Sequence, residues 1–270
     1  MKLAGRTAVV TGAASGIGRG IALALAKRGC HLALADLNEE GLSETARMAG
    51  NRVRVTRHRL DVSDPAAVAA LPEAVLAEHG AVHLLFNNAG VAIGGTFEEV
   101  AEEDFEWLFS INFWGVVRMT RAFLPHLKAA DEGRIVNISS IFGIVAPPGQ
   151  TAYSASKFAV RAFSESLRNE LAAEGSKVGV SVVHPGGINT SIAKSARPPR
   201  HPTGRIDHEA EKERFAKFLR LPPEQAGEII VAGTERGKAR ILVGGDARIM
   251  ALAERLAPIS YWKALGRLLK

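Results

Sequence analysis

The chain has 270 residues, 47% of them hydrophobic and 23% charged, with one cysteine and a formal net charge of +6. This length and apolar share fit one globular domain with a large core. No apolar run reaches the ~20 residues that a membrane-spanning helix needs, and a lone cysteine rules out an intrachain disulfide.

In chain order, "MKLAGRTAVV" runs straight into a β-branched strand. It carries neither the long apolar region nor the small-residue cleavage site of a signal peptide, so a cytoplasmic location is expected. After the turn "TGAASGIG", helical spacing carries the chain to Gly29, a C-terminal cap. Cys30, in "RGCHLALAD", reads as buried packing at the start of the second strand. A polar helix follows from Glu39 to Met48. The alternating run "RVRVTRHRLD" is the third strand, and "SDP" opens the next helix with Ser63 or Asp64 as cap and Pro65 in its first turn. "VHLLFNNAG" is the fourth strand with its exit loop. A long helix is predicted over about 101 to 128, a fifth strand in "GRIVNISS", a second long helix over about 151 to 174, and a sixth strand in "KVGVSVVHPG". A helix near 223 to 236 and a short strand, "ARILVG", close the pattern.

Strands separated by helices predict an α/β chain: a doubly wound parallel sheet of about seven strands, the Rossmann fold. No repeat or linker divides it. The expected organisation is a catalytic domain over 1–245, including a substrate loop at 185–223, and a C-terminal helical extension of the same domain at 246–270. That extension reads as one or two amphipathic helices around Pro258. It is expected to cap the pocket or pack on another subunit, with membrane contact the weaker alternative.

The basic balance raises nucleic acid as a partner, but no zinc-finger spacing, basic zipper or aromatic RNA-binding signature accompanies it, and none is expected. No metal is expected either. His79 and His83 are four apart, but Gly80 and the start of a strand separate them.

Glycines 12, 16 and 18 stand between the first strand and the first helix. There they permit a tight turn and let the amides of Ser15, Gly16, Ile17 and Gly18 approach a pyrophosphate. Asp36 ends the second strand, where a carboxylate accepts from an adenosine ribose and repels a 2′-phosphate. Leu37 follows it, so no cation reverses that preference. NAD is the expected cofactor and NADP the less expected one, with Arg19 near the glycine turn as the feature favouring NADP. Asp61 and Val62, at the end of the third strand, are expected to flank an adenine, and Asn88, Ala89 and Gly90 leave the fourth strand at the expected crevice.

Tyr153 and Lys157 stand four apart in "AYSASKFAV" and so share a helical face. A nearby ammonium favours a phenolate, which makes the pair suited to proton transfer. With "TGAASGIG", "NNAG", Asn112 in "INFWG", "NISS", "YSASK" and "PGGINT" in this order over residues 5 to 245, the chain resembles a short-chain dehydrogenase/reductase.

The resemblance implies Tyr153 as acid/base, Lys157 as its partner and as a nicotinamide-ribose contact, and Asn112 as a relay residue. Ser140, 13 residues before Tyr153, would be the second donor to the substrate oxygen, and Ser139 would support the strand end. Pro185 and Gly186 would turn the chain under the nicotinamide, with Ile188 and Thr190 resembling the carboxamide contacts. His184 reads as structural.

The substrate is expected beside Ser140, Phe142 and Tyr153, with Ile93 and Ile192 lining its site. The apolar character of Val91 to Ile93 and Ile141 to Val145 points to a hydrophobic secondary alcohol or ketone. The alternative is a 3-ketoacyl thioester reduced with NADPH, its phosphates held by the cationic segment Lys194 to Arg220. A non-catalytic nucleotide sensor and a nucleotide-sugar epimerase are weaker readings, since Tyr153 and Lys157 are both present and the glycine spacing differs from the epimerase pattern. The resemblance also implies pairing through the two long helices into a homodimer or homotetramer.

Overall fold

The computed structural model describes residues 1–190, 192, 195–203, 210 and 218–263. Its sheet contains β1 (Thr7–Thr11), β2 (His31–Asp36), β3 (Val55–Arg59), β4 (Leu84–Asn87), β5 (Gly133–Ile138), β6 (Val178–Pro185) and β7 (Arg240–Val243). All pairings are parallel, and the strand order is β3-β2-β1-β4-β5-β6-β7. This is the predicted doubly wound sheet. The order reverses direction between β1 and β4, where such sheets open a crevice.

Strand residues alternate between two cores because successive side chains face opposite ways. Val10, Leu34, Phe86 and Val183 point to one layer, formed by α1 (Gly16–Lys27), α2 (Glu39–Ala49) and α7 (Pro223–Glu235). Val9, Ala33, Leu85 and Ile135 point to the other, formed by α3 (Pro65–His79), α5 (Gly115–Ala129) and α6 (Thr151–Ala173). Each fully buried Leu or Phe contributes about 1.5–3 kcal/mol. Cys30 is fully buried, and burial pushes its thiol up to about 12, so it packs rather than reacts.

Local chemistry sets the helix boundaries. Asp64 caps α3 by accepting from the amides of Ala66 and Ala67, with Pro65 in the first turn, which decides between the two caps that the sequence offered. Asn38 caps α2 by accepting from Gly41. The first long helix differs from its prediction as one regular element. It is α4 (Glu102–Phe109), a π turn over Ser110–Trp114, and α5. The extra residue of a π turn is a common device at functional sites, and Asn112 sits inside it.

Beyond β7, α8 (Gly245–Leu256) packs through Ala247, Met250 and Ala251 on the 3-10 turn Ile141–Gly143. The chain turns at Pro258 and becomes helical again at Tyr261. Among the described residues no helix is long and apolar enough to cross a membrane.

Candidate active site

The predicted nucleotide residues gather at the carboxyl ends of β1 to β4. Gly12 has φ +64, which L side chains rarely adopt, and a Cβ on Gly18 would collide with the Gly12 carbonyl. Only glycine lets α1 start this close to β1. The first intrahelical bond is Arg19 N–H to Ser15 O at 3.1 Å. The amides of Gly16, Ile17 and Gly18 therefore lack an intrahelical acceptor, and no acidic residue occupies the first turn. That is an anion-binding helix end.

Asp36 lies on the same rim. Its Oδ2 accepts from Ala14 N at 3.0 Å and its Oδ1 from Asn38 N at 3.0 Å, while Asn38 and not Asp36 caps α2. Each oxygen accepts one such bond, which leaves lone pairs for a ribose. Leu37 is 52% exposed beside it. Arg19 is tied into the protein: it donates to Thr45 Oγ1 at 3.0 Å and to the Ala14 carbonyl at 2.6 Å. It staples the glycine turn to α2.

Asp61 accepts from both the amide and the hydroxyl of Ser63. Val62 is buried, and its side chain fills the space over Gly115. The "NNAG" exit is fixed by Thr11, whose Oγ1 accepts from Asn88 N and Ala89 N at 3.0 and 3.1 Å. Asn88 Nδ2 donates back to the carbonyls of Thr11 and Gly12. The residues present thus fit a dinucleotide: a glycine-cleared helix end for its pyrophosphate and a rim carboxylate for its ribose.

The residues predicted for proton transfer lie at the ends of β4 and β5. Tyr153 is half-buried near the start of α6, and its phenol is hydrogen-bonded to Ser140. Phe142 stands edge-on to its ring at 6.2 Å. Lys157, one turn on and 3% exposed, donates from Nζ to the Ile138 carbonyl at 3.2 Å and lies 5.6 Å from the Tyr153 ring centre. Asn112 brackets the main chain of Val91, accepting from its amide at 2.9 Å and donating to its carbonyl at 3.0 Å. A Cβ on Gly90 would lie 3.1 Å from Asn112 Oδ1 and 3.4 Å from Lys157 Nζ, so these three residues converge. The two adjacent serines separate as expected. Ser139 donates to the Lys157 carbonyl at 2.8 Å, and Ser140 turns toward the phenol.

One electrostatic expectation is corrected. Burial pushes Tyr153 up to about 12, with the Ser140 hydrogen bond pulling it down, and burial lowers Lys157 to about 8. Desolvation is the larger cause for both groups, since each loses water around its charged form.

His184, fully buried, pairs through Nδ1 with the Ser140 carbonyl at 2.9 Å. Burial first, against that hydrogen bond, lowers its pKa to about 4. The unfolded chain takes up a proton near 6.5 and the folded chain only near 4, so stability is full above 6.5 and falls as pH drops toward 4. Urea unfolding should give about 2 kcal/mol less stability at pH 5 than at pH 7.5 from this residue. A His184→Gln chain should show a shallower decline; an identical decline would remove His184 as the cause.

Pro185, Gly186, Ile188 and Thr190 follow β6. Ile188 is buried and pairs with Leu221, and Thr190 packs over Gly16, whose Cβ would meet its Cγ2 at 3.2 Å. The predicted substrate wall divides. Phe142 and Ile192 are half-buried, as are Val91 and Ala92. Ile93 is 2% exposed and belongs to a core with Val100, Leu108 and Ala152; Ile141, Ile144 and Val145 are also core. Ala193 and Lys194 lie outside the described residues, as does most of the segment up to 217.

The near part of that loop carries features the sequence reading did not single out. Buried Asp104 pairs with Arg197 at 3.5 Å and Arg200 at 2.9 Å, and Arg197 stacks on Trp107. Buried Glu99 accepts from Thr96 and Thr203, and these bonds lower its carboxyl to about 2. Also missed was the buried chain from Thr120 through Asn87 and Asn137 to Ser164. Its sequence signal was present: asparagines inside otherwise apolar strands.

The short chain dehydrogenase family model matches residues 6–201. The "Putative oxidoreductase SadH" of Mycobacterium tuberculosis is 43% identical over 268 residues, covering 97% of this chain and 94% of that protein. A short chain dehydrogenase/reductase from Burkholderia phymatum in complex with NAD superposes with a TM-score of 0.84 at 32% identity, covering 95% of both chains. A short chain dehydrogenase from Burkholderia cenocepacia in complex with NADP gives 0.78 at 29% identity, covering 98% of this chain and 99% of that one. The chain belongs to the short-chain dehydrogenase/reductase family, and with it to the nicotinamide-dependent oxidoreductases.

Proposed function

We propose that this chain interconverts a hydrophobic secondary alcohol and its ketone with NAD, using Tyr153 as acid/base. The observation that carries this reading is the convergence of Ser140, Tyr153, Lys157 and Asn112 beside the glycine-cleared start of α1. A bound nicotinamide would supply the hydride chemistry, as acceptor in alcohol oxidation and as donor in ketone reduction. Tyr153 Oη takes the substrate hydroxyl proton in oxidation and gives it back in reduction. Ser140 Oγ–H donates to the same oxygen and stabilises the charge that develops there. Lys157, anchored on Ile138, holds positive charge beside the phenol and reaches toward the nicotinamide ribose. Asn112 fixes the Val91 main chain at the turn that faces them. Gly12 to Gly18 hold the pyrophosphate, Asp36 the adenosine ribose, Asp61 and the Val62 main chain the adenine, and Ile188 and Thr190 the carboxamide.

Two features support a hydrophobic substrate over a thioester. Val91 and Phe142 offer partly exposed apolar surface by Tyr153, and Ala92 and Ile192 are likewise half-buried. Arg197 and Arg200, two of the cations assigned to phosphate capture, are spent on Asp104. Trp114, 50% exposed in the π turn, and Phe158, 37% exposed on α6, support pairing through the long helices into a dimer or tetramer.

The test is a turnover screen followed at the reduced-nicotinamide absorbance. Apolar secondary alcohols with NAD, their ketones with NADH, and a ketoacyl thioester with NADPH are offered separately. Oxidation of the apolar alcohols is the expected result. Turnover of the thioester alone, with NADPH, would transfer the assignment to an acyl reductase.

A further inference from the structure

We infer that Asp246 is a positioning residue, whose carboxylate holds the Gly186–Gly187 turn in the shape that presents Ile188 and Thr190 to the nicotinamide. The inference rests on the nicotinamide reading above, but it concerns a residue beyond the segment that the family model matches.

The geometry is specific. Asp246 Oδ2 accepts from Gly187 N at 2.6 Å, a charge-assisted bond. The other amides of the turn bond to main chain: Gly186 N to Val243 O, Ile188 N to Gly186 O, Asn189 N to Leu221 O and Thr190 N to Ile188 O. The Gly187 carbonyl accepts from Arg220 N and Leu221 N at 3.0 and 3.1 Å. In residues 186 to 190 one amide is thus held by a side chain, and that side chain is Asp246.

The space around the carboxylate is cleared for it. A Cβ on Gly186 or on Gly244 would collide with its oxygens, and one on Gly187 would come within 3.4 Å of Oδ2 while colliding with the Phe218 carbonyl. A carboxylate suits the place, because Asp246 lies in the first turn of α8, where a helix favours negative charge. The helix is fixed on its other side. Ala247 is fully buried against the turn that follows Ser140, and the Tyr261 hydroxyl accepts from Ala146 N at 2.9 Å. One short helix therefore touches both the carboxamide loop and the Ser140 turn. Its seating sets the separation between the two partners of hydride and proton transfer.

The test separates the two ends of the cofactor. Full-length wild type, Asp246→Ala and Asp246→Asn are titrated with NADH by fluorescence and with ADP-ribose, which lacks the nicotinamide, by calorimetry. Asp246→Ala should weaken NADH about tenfold or more and leave ADP-ribose within about twofold. Asp246→Asn keeps an acceptor oxygen and should recover most of the NADH affinity. Unchanged NADH affinity in Asp246→Ala overturns the inference, as does an equal loss of both ligands, which marks a general folding defect. Wild type that binds ADP-ribose but not NADH overturns the nicotinamide reading itself, and the inference with it.

Discussion

Tyr153→Phe should lower turnover in both directions by about 10³-fold, the ordinary range for losing a positioned acid/base, while NADH binding changes by less than about twofold. The phenylalanine keeps the ring that packs edge-on to Phe142 and beside Lys157, so the fold and the cofactor crevice survive. Only the oxygen bonded to Ser140 disappears. A loss of that size corresponds to about 4 kcal/mol of transition-state stabilisation. Full activity in the variant would refute the assignment. Equal losses in NADH affinity and turnover would mean that the ring, not the hydroxyl, is what matters.

The pH profiles sharpen the test. With the phenol near 12, Tyr153 is protonated at neutral pH and ready to act as the acid for ketone reduction. Alcohol oxidation starts from the phenolate, whose population grows as pH rises. Oxidation by the wild type should therefore increase through the alkaline range, while reduction holds nearly flat around neutrality. Lys157, lowered to about 8, loses charge in the same range and blunts the increase. In Tyr153→Phe the residual oxidation should lose this dependence on pH.

The candidate site was legible in the sequence because the spacing puts Tyr153 and Lys157 on one helical face, and because glycines between a strand and a helix clear a close approach there. The sheet was legible for a similar reason: buried parallel strands are short apolar runs that alternate with helices. The substrate wall was less so. "SSIFGIVAPPG" is apolar throughout, and apolarity does not say which residues face a crevice and which a core; Phe142 faces Tyr153, but Ile144 and Val145 pack inward. Charge counts are ambiguous in the same way. Two of the eight cations from Lys194 to Arg220, Arg197 and Arg200, pair with Asp104, far off in sequence. Asp246 carried no local signal. Its meaning comes from two glycines 59 and 60 residues earlier, brought against it by the pairing of β6 with β7.

The second large effect concerns the cofactor. Asp36→Asn combined with Leu37→Arg should shift the NADP to NAD ratio of kcat/KM by about 10²- to 10³-fold toward NADP. Two unit charges 4 Å apart near a protein surface interact by about 4 kcal/mol, which sets the scale for a carboxylate facing a 2′-phosphate. Removing that repulsion supplies part of the change, and the guanidinium at position 37 adds attraction to the phosphate. Leu37 is more than half exposed, so the arginine displaces no core. Asparagine is the conservative choice at 36, because the carboxylate accepts from the amides of Ala14 and Asn38 through different oxygens; asparagine keeps an acceptor for one of them, and alanine would strip both bonds. Steady-state kinetics with both cofactors decide the matter. Wild type that already prefers NADP would sink the role given to Asp36. A double variant that loses NAD without gaining NADP would show that Asp36 holds the ribose but does not select between the two cofactors. A full inversion would place cofactor choice at this rim alone, with Arg19 left as the staple between α1 and α2.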